Sequence, residues 1–334
     1  MTSIAFRPLL AAAVLATTSL LASAAGASPA AYSSLYIFGD SLSDSGNNAI
    51  KLGTQPNQVI TGNSYIPTFP YASGDYSNGQ VWVSAFAAGL GLPSYATASL
   101  AGGGDYAYGG ALTVVDGNGG RLKFPPSATT QLNSYLAGQS VLPSTALYVI
   151  AIGGNDAFNT SAQIVAGAPE DSTIASASAS YAAGVGAMVA SLEAKGAQHI
   201  IVWNTPDIGL TPSAGAAGVS VLDTKIATAF NGALGTALAG DSAVTTFDIF
   251  GLLGRVDADP AAYGLANVTD ACGAIASCDP SSYLFWDGIH PTSGGHAIIA
   301  QAMLAAAVPE PSSVVLLAGG LVLVLARRRH GAPH

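Results

Sequence analysis

The stretch "LYIFGDSLSDSGNN", Leu35–Asn48, decides how this chain is read. Four apolar residues break off at Gly39 and give way to Asp40 and three serines, Ser41, Ser43 and Ser45. A continuous apolar run suits a parallel strand covered on both faces. In open α/β sheets ligands gather beyond the carboxyl ends of the strands. Ser41 therefore stands where a nucleophile would stand. Hydroxyls are also common turn residues, so position alone leaves both readings open.

Similar runs recur downstream: "ALYVIAI" (Ala146–Ile152), "HIIVWN" (His199–Asn204) and "VTTFDIF" (Val244–Phe250), with a weaker fifth near "LPSYA" after Gly91. Helical patterns lie between and after them, over Asn78–Gly91, Thr129–Gly138, Thr173–Lys195, Ser220–Gly240 and Pro291–Ala307. Several close on glycine, and Pro291 suits a first helical turn. Strand–helix alternation of this kind predicts an α/β fold: a three-layer α/β/α sandwich, flavodoxin-like, around a central parallel sheet of about five strands. Residues 51–78 and 251–285 carry little pattern and are expected as long loops, which are often functional.

The chain has 334 residues, 50% hydrophobic and 9% charged, with a formal net charge of −9. That composition suits a well-buried globular body and not disorder. Met1 to about Ser28 holds Arg7, an apolar core and small residues, the pattern of a secretory signal peptide ending after Ala24 or Ala27. A membrane anchor is the alternative. At the other end Pro309–Pro311 precede an apolar segment, Ser312–Ala326, shorter than the ~20 residues of a typical membrane helix, and then Arg327, Arg328 and Arg329. Long apolar spans lie only at the two ends, against a membrane-embedded structural protein. Four of the ten basic residues sit in these end segments, so the body is more acidic than the whole chain. Such a surface repels a phosphate backbone and excludes nucleic acid as a partner. Cys272 and Cys278, close together in an exported chain, read as a disulfide pinning a loop rather than a metal pair. No Cys/His cluster has zinc spacing, and neither a metal nor an organic cofactor is expected.

A serine hydroxyl becomes a nucleophile when a base takes its proton and a third group holds the base. Of the five histidines, His330 and His334 lie in the tail, His199 opens a strand, and His296 sits on an apolar helix as a satisfied core residue. His290, in "WDGIHPTSGGH", stands before a helix start with Asp287 three residues upstream and Gly288 allowing the bend. That geometry lets a carboxylate accept from one ring nitrogen while the other faces outward. Acyl transfer also needs donors for a developing oxyanion. Asn155 in "IAIGGNDAF" offers an amide over the sheet edge, and "GGGDYAYGGA" (Gly102–Ala111) offers backbone N–H groups.

The blocks "FGDSLSDSGN", "YAYGGA", "IGGND" and "DGIHP", in that order, resemble those of the GDSL esterase/lipase family, the SGNH hydrolases, over Leu35–Ala306. The segment "YSNGQVWVSAFAAGLGLP" is also similar to the family's. The resemblance implies a carboxylic ester hydrolase with Ser41 as nucleophile, Asp287 and His290 completing the triad, and Ser41, Gly110 and Asn155 as oxyanion donors, with Gly109 a close alternative to Gly110. It departs from the family at Asp105, where Asn is usual, which puts the local hydrogen bonds in doubt. No serine lies in a G-x-S-x-G turn. The tail resembles the PEP-CTERM sorting signal of Gram-negative bacteria and implies export, an exosortase partner, and a place in the cell envelope or extracellular matrix, with the chain membrane-tethered before the tail is removed. The organisation expected is a signal peptide over 1–27, a hydrolase domain over 31–306 and a sorting segment over 308–330. Lipid, aryl and polysaccharide esters all fit this chemistry, and a non-catalytic surface binder on the same fold is the competing reading. The tyrosines and Phe69 of "NSYIPTFPYASGDYSNG" either line an acyl pocket or pack the loop onto the sheet.

Overall fold

The computed structural model describes residues 32–117 and 123–307. The expected signal peptide over 1–27, the Ser312–Ala326 segment and the arginine cluster lie outside them. In chain order the elements are β1 (Ser34–Gly39), α1 (Asn47–Leu52), α2 (Trp82–Gly89), α3 (Ala128–Leu136), β2 (Ala146–Ala151), α4 (Gly154–Val165), α5 (Glu170–Glu193), β3 (His199–Trp203), α6 (Pro212–Ala217), α7 (Ser220–Ala237), β4 (Val244–Phe247), α8 (Ile249–Ala258), β5 (Asn267–Ala271), β6 (Tyr283–Phe285) and α9 (Ser293–Ala307). The first four strands form one parallel sheet in the order β1-β2-β3-β4, and β5 and β6 form a separate parallel pair.

Both faces of the main sheet are covered. Leu35, Ile37, Leu147, Val149, Ile201 and Trp203 point to one side, where Trp82 and Phe86 of α2 and Ile299 and Met303 of α9 meet them. Phe38, Tyr148, Ile150, Ile200 and Val202 point to the other, against Leu132 of α3, Tyr181, Val185 and Met188 of α5, and Phe230 of α7. The strands thus alternate by side, as the pleat dictates, yet read as continuous apolar runs because each side meets a helical layer. Fully burying one such side chain contributes about 1.5–3 kcal/mol.

The expected fifth strand at "LPSYA" is a 3-10 helix, Pro93–Ala96. Proline fixes φ and brings no N–H to a ladder. The sheet edge beside β1 is met instead by Gly104–Tyr106: Ile37 N–H donates to Gly104 O at 3.0 Å, and Tyr106 N–H to Ile37 O at 2.8 Å. The last strand stops at Phe247 rather than Phe250, because the Asp248 side chain accepts from Gly251 N–H and caps α8. That helix, with β5 and β6, occupies much of 251–285, which the lack of pattern predicts as loop. Residues 53–80 contain no helix or strand. Pro291 does not open the last helix: it bridges to Phe285, and Thr292 Oγ1 accepts from Gly295 N–H at 3.0 Å.

Within the described residues, α5 is long and apolar enough to cross a membrane, so such spans are not confined to the chain ends. Its apolar residues are the core face of a three-layer sandwich: Ile174, Tyr181, Val185, Met188, Val189 and Leu192 are all buried. Cys272 and Cys278 are joined sulfur to sulfur.

Candidate active site

At the end of β1 the backbone of Gly39 is clasped on both sides by Gln131 of α3, each bond 2.9 Å. Asp40 then makes the turn: its carbonyl accepts from Ser43 and Asp44 N–H, and its carboxylate from Leu42 N–H. Ser41 sits on this turn. Ser43 Oγ accepts from the Trp82 indole at 3.2 Å and Ser45 Oγ donates to Asp105 at 2.6 Å, so these two hydroxyls hold the fold together.

Ser41 Oγ lies 2.8 Å from His290 Nε2, across 249 residues of sequence. His290 Nδ1 lies 2.8 Å from Asp287 Oδ2. The other carboxylate oxygen, Oδ1, accepts from the backbone N–H of Ile289 at 2.9 Å and of His290 at 2.8 Å. Hydroxyl, imidazole and carboxylate therefore form one hydrogen-bonded line, with Ser41 8%, His290 2% and Asp287 0% exposed. The Tyr76 ring faces the imidazole with centroids 5.4 Å apart.

Asn155 is the second residue of α4, and its amide donates to Ala111 O at 3.0 Å. Gly109 and Gly110 stand across the same opening. The Gly109 N–H donates to Asp44 Oδ2 at 2.8 Å, which commits that amide elsewhere. Gly109 passes so close to the Tyr76 ring that a Cβ would overlap it, and Gly110 has φ 81°.

The acidic departure at Asp105 is well accommodated. Its carboxylate accepts from Ser45 N–H, Ser45 Oγ–H and Ala107 N–H. Asn47 donates to the carbonyls of Asp105 and Ala107, and Asn48 to Gly109 O and Tyr76 Oη. Asp44 gathers the N–H groups of Gly46, Asn47, Asn48 and Gly109. The serine turn and the glycine corner are thus sewn into one unit. Burial pushes the carboxyl of Asp40 to about 7, and those of Asp44 and Asp156 to about 6, against the hydrogen bonds that pull the other way. Asp105 is raised well above its ordinary value by the same cause.

Two cavities meet at Ser41, Asn155, Ile289 and His290. The smaller, about 50 Å³, is walled by Leu42, Phe158, Ile208, Ile249 and Leu253. The larger, about 340 Å³, is bordered by Asn48, Thr68, Tyr76, Gly109, Gly110 and Phe124. Of the aromatic loop residues expected at an acyl pocket, Tyr76 lines the larger cavity, whereas Tyr71 donates its hydroxyl to Asp287. His199 is exposed at its strand edge and meets the Tyr32 ring edge-on, with centroids 5.4 Å apart. His296 is buried, but neither ring nitrogen has a hydrogen-bond partner among the described residues, which corrects its reading as a satisfied core histidine; burial lowers it to about 3. No group of three or more His, Cys, Asp or Glu among the described residues is arranged to hold a metal ion.

The GDSL-like lipase/acylhydrolase family model matches residues 35–303. The chain belongs to that family. A PEP-CTERM protein-sorting motif matches residues 307–329. Among relatives, esterase EstA of Pseudomonas aeruginosa is 30% identical over 90% of this chain and 50% of its own length. A GDSL esterase/lipase of Arabidopsis thaliana is 26% identical over 81% of this chain and 88% of its own. The chain spans about half the length of the Pseudomonas relatives it matches. Among solved structures, a carbohydrate acetylesterase from Sinorhizobium meliloti, Est24, superposes with a TM-score of 0.44 at 17% identity, covering 81% of this chain and 96% of that one. Sequence reasoning about this GDSL protein missed the roles of Asp44, which lies inside the first block, and of Tyr71 and Gln131, which reach the site from a loop and a helix with no local motif of their own.

Proposed function

We propose that the protein is an exported serine esterase that hydrolyses carboxylic esters through Ser41, His290 and Asp287. The observation that carries this reading is the unbroken hydrogen-bonded line from the Ser41 hydroxyl through His290 to Asp287. His290 takes the proton as Ser41 Oγ attacks the ester carbonyl, while Asp287 holds the ring and stabilises the imidazolium. The oxyanion is met by Ser41 N–H, Gly110 N–H and the Asn155 amide. His290 then protonates the departing alcohol. Water, deprotonated by the same imidazole, attacks the acyl-enzyme, and its collapse releases the acid and frees Ser41.

The two cavities support an assignment of sides. The small apolar cavity takes a short acyl group, and the larger, more polar one takes the alcohol. This favours short-chain esters of bulky polar alcohols, including acylated polysaccharide, over long-chain lipids. Family membership supports the ester substrate, and the sorting motif supports export through a signal peptide over 1–27 and processing of the segment over 308–330 by an exosortase-type enzyme, with the body, 31–306, carrying the activity.

The direct test is hydrolysis of p-nitrophenyl butyrate by the wild type and by Ser41→Ala. The variant should lose roughly 10³-fold or more in kcat. Wild-type turnover in Ser41→Ala would remove the nucleophile assignment, and a wild type inert towards an acyl-chain series would favour the binding protein.

A further inference from the structure

Asp287 is held from two directions. Its Oδ1 is occupied by the backbone N–H groups of its own turn, Ile289 and His290. Its Oδ2, the oxygen nearer His290 Nδ1, also accepts a hydrogen bond of 2.8 Å from the Tyr71 hydroxyl, 216 residues away in sequence. Tyr71 is 7% exposed, and its ring packs edge-on against Trp286 with centroids 6.1 Å apart. Ile60, Ala271 and Tyr65 complete a small apolar cluster around it.

The loop that brings Tyr71 is built around this turn. Gly288 N–H donates to Tyr65 O at 2.8 Å. The loop passes so close that a Cβ on Gly288 would lie 2.6 Å from the carbonyl oxygens of both Asn63 and Tyr65. Asn63 accepts from Ala271 N–H and donates to Asp270, which ties the loop to β5. Tyr71 itself is fixed by its N–H to Asp75 O and by Gly74 N–H to its own carbonyl. A long loop without helix or strand thus converges on one carboxylate.

We propose that Tyr71 is a positioning residue for the acid–base pair: its hydroxyl fixes the orientation of the Asp287 carboxylate and tempers the negative charge presented to His290. This rests on the esterase reading above. Burial and the neighbouring carboxylate push the Tyr71 phenol well above its ordinary range, so it stays a hydrogen-bond donor at any working pH. A donor on a carboxylate oxygen withdraws charge from it. Without that donor the carboxylate holds imidazolium more strongly, so the base stays protonated to higher pH. It also turns more freely, which misaligns the imidazole. The other groups facing His290 are Asp40 and the Ser41 hydroxyl from the serine turn, Tyr76 from the loop and His296 from α9; Tyr65 feels the Asp287 charge, but its hydroxyl is bonded to Gln58. Tyr71→Phe alters none of them.

The test compares wild type, Tyr71→Phe and Tyr65→Phe, the second tyrosine near Asp287, whose hydroxyl donates to Gln58 at 3.1 Å instead of to the carboxylate. With p-nitrophenyl butyrate from about pH 5 to 9, Tyr71→Phe should lower kcat about tenfold with KM nearly constant and move the acid limb of kcat/KM upward by about half a pH unit. Tyr65→Phe should leave the limb in place. An unmoved limb in Tyr71→Phe overturns the proposal, whatever the rate. The titration of the His290 ring followed by NMR, in a Ser41→Ala background with and without the Tyr71 hydroxyl, needs no turnover. A displaced titration in a protein without esterase activity would keep the positioning role and discard the esterase, and an undisplaced one in an active enzyme would do the reverse. Should Tyr71→Phe not fold, the wild type still decides: a slowly exchanging, downfield Tyr71 phenol proton is expected, and a freely exchanging one refutes the contact.

Discussion

Replacing Asp44 by asparagine separates the serine turn from the glycine corner with a change of one atom. Asp44 is fully buried. Its Oδ1 accepts from Gly46 N–H at 3.0 Å and Asn47 N–H at 2.7 Å, and its Oδ2 from Gly109 N–H at 2.8 Å and Asn48 N–H at 3.2 Å. An amide can satisfy one pair only. With its oxygen towards Gly46 and Asn47, its NH₂ meets the N–H groups of Gly109 and Asn48, donor against donor. Two hydrogen bonds to a charged acceptor, about 1.5–3 kcal/mol each, are lost. Part of that is offset because a neutral group is cheaper to bury: burial has already raised the Asp44 carboxyl to about 6. A net loss of about 2–4 kcal/mol in stability follows. Freed from Asp44, the Gly109–Gly110 corner moves away from Ser41, and one oxyanion donor goes with it, which costs about 10²–10³-fold in kcat. Denaturant unfolding and p-nitrophenyl butyrate kinetics at one pH measure both quantities. A variant within threefold of wild-type kcat would show that Asp44 does not hold the oxyanion corner, even if stability fell as expected.

The acyl side is tested by Phe158→Ala, which enlarges the small apolar cavity: the ratio of kcat/KM for octanoate to butyrate esters should rise about tenfold, and an unchanged ratio would move the acyl group to the larger cavity. The buried carboxyls make a pH prediction of opposite sign to that for activity. Asp40 and Asp75 are raised to about 7 and Asp44 and Asp156 to about 6, all from 3.8 and all chiefly by burial. The folded state holds these protons more tightly than the unfolded chain, so their stabilisation is full below about pH 4 and lost as pH rises through 6 to 7. Tm should therefore fall between pH 5 and pH 8 while turnover rises as the imidazole becomes neutral, and a Tm that climbs over that interval would mean these carboxyls are charged in the fold.

The parts of this architecture that were legible in sequence are those whose cause is local. Strands β1 to β3 announce themselves because helices cover both faces, so residues on either side of the pleat must be apolar. Asp287 and His290 were legible because one four-residue turn carries both the carboxylate and the imidazole. The failures share another cause. The run "VTTFDIF" stays apolar past Phe247, but Asp248 caps a helix there, and one polar side chain outweighs two flanking phenylalanines. The "LPSYA" strand failed on its proline, and the sheet edge was completed by the polar, glycine-rich Gly104–Tyr106, which no hydrophobic pattern would single out.

Distance in sequence hid the rest. Tyr71 and Asp287 are 216 residues apart, Gly39 and Gln131 are 92, and Asp44 and Gly109 are 65. A buried tyrosine in a patternless loop has no periodicity to reveal what its hydroxyl meets. The usable signal was the loop itself: residues 53–80 are too long for a simple connection and too rich in aromatic residues for a solvated one. Regular elements pair most backbone groups in repeating ladders, within a helix or between neighbouring strands. This loop has scattered internal hydrogen bonds, such as Tyr71 N–H to Asp75 O, but Tyr65 O and the Asn63 side chain find their partners at Gly288, Asp270 and Ala271 around the acid–base turn. The order of the loop and the orientation of Asp287 are therefore one equilibrium, and whatever loosens residues 53–80 must also loosen the carboxylate that holds His290.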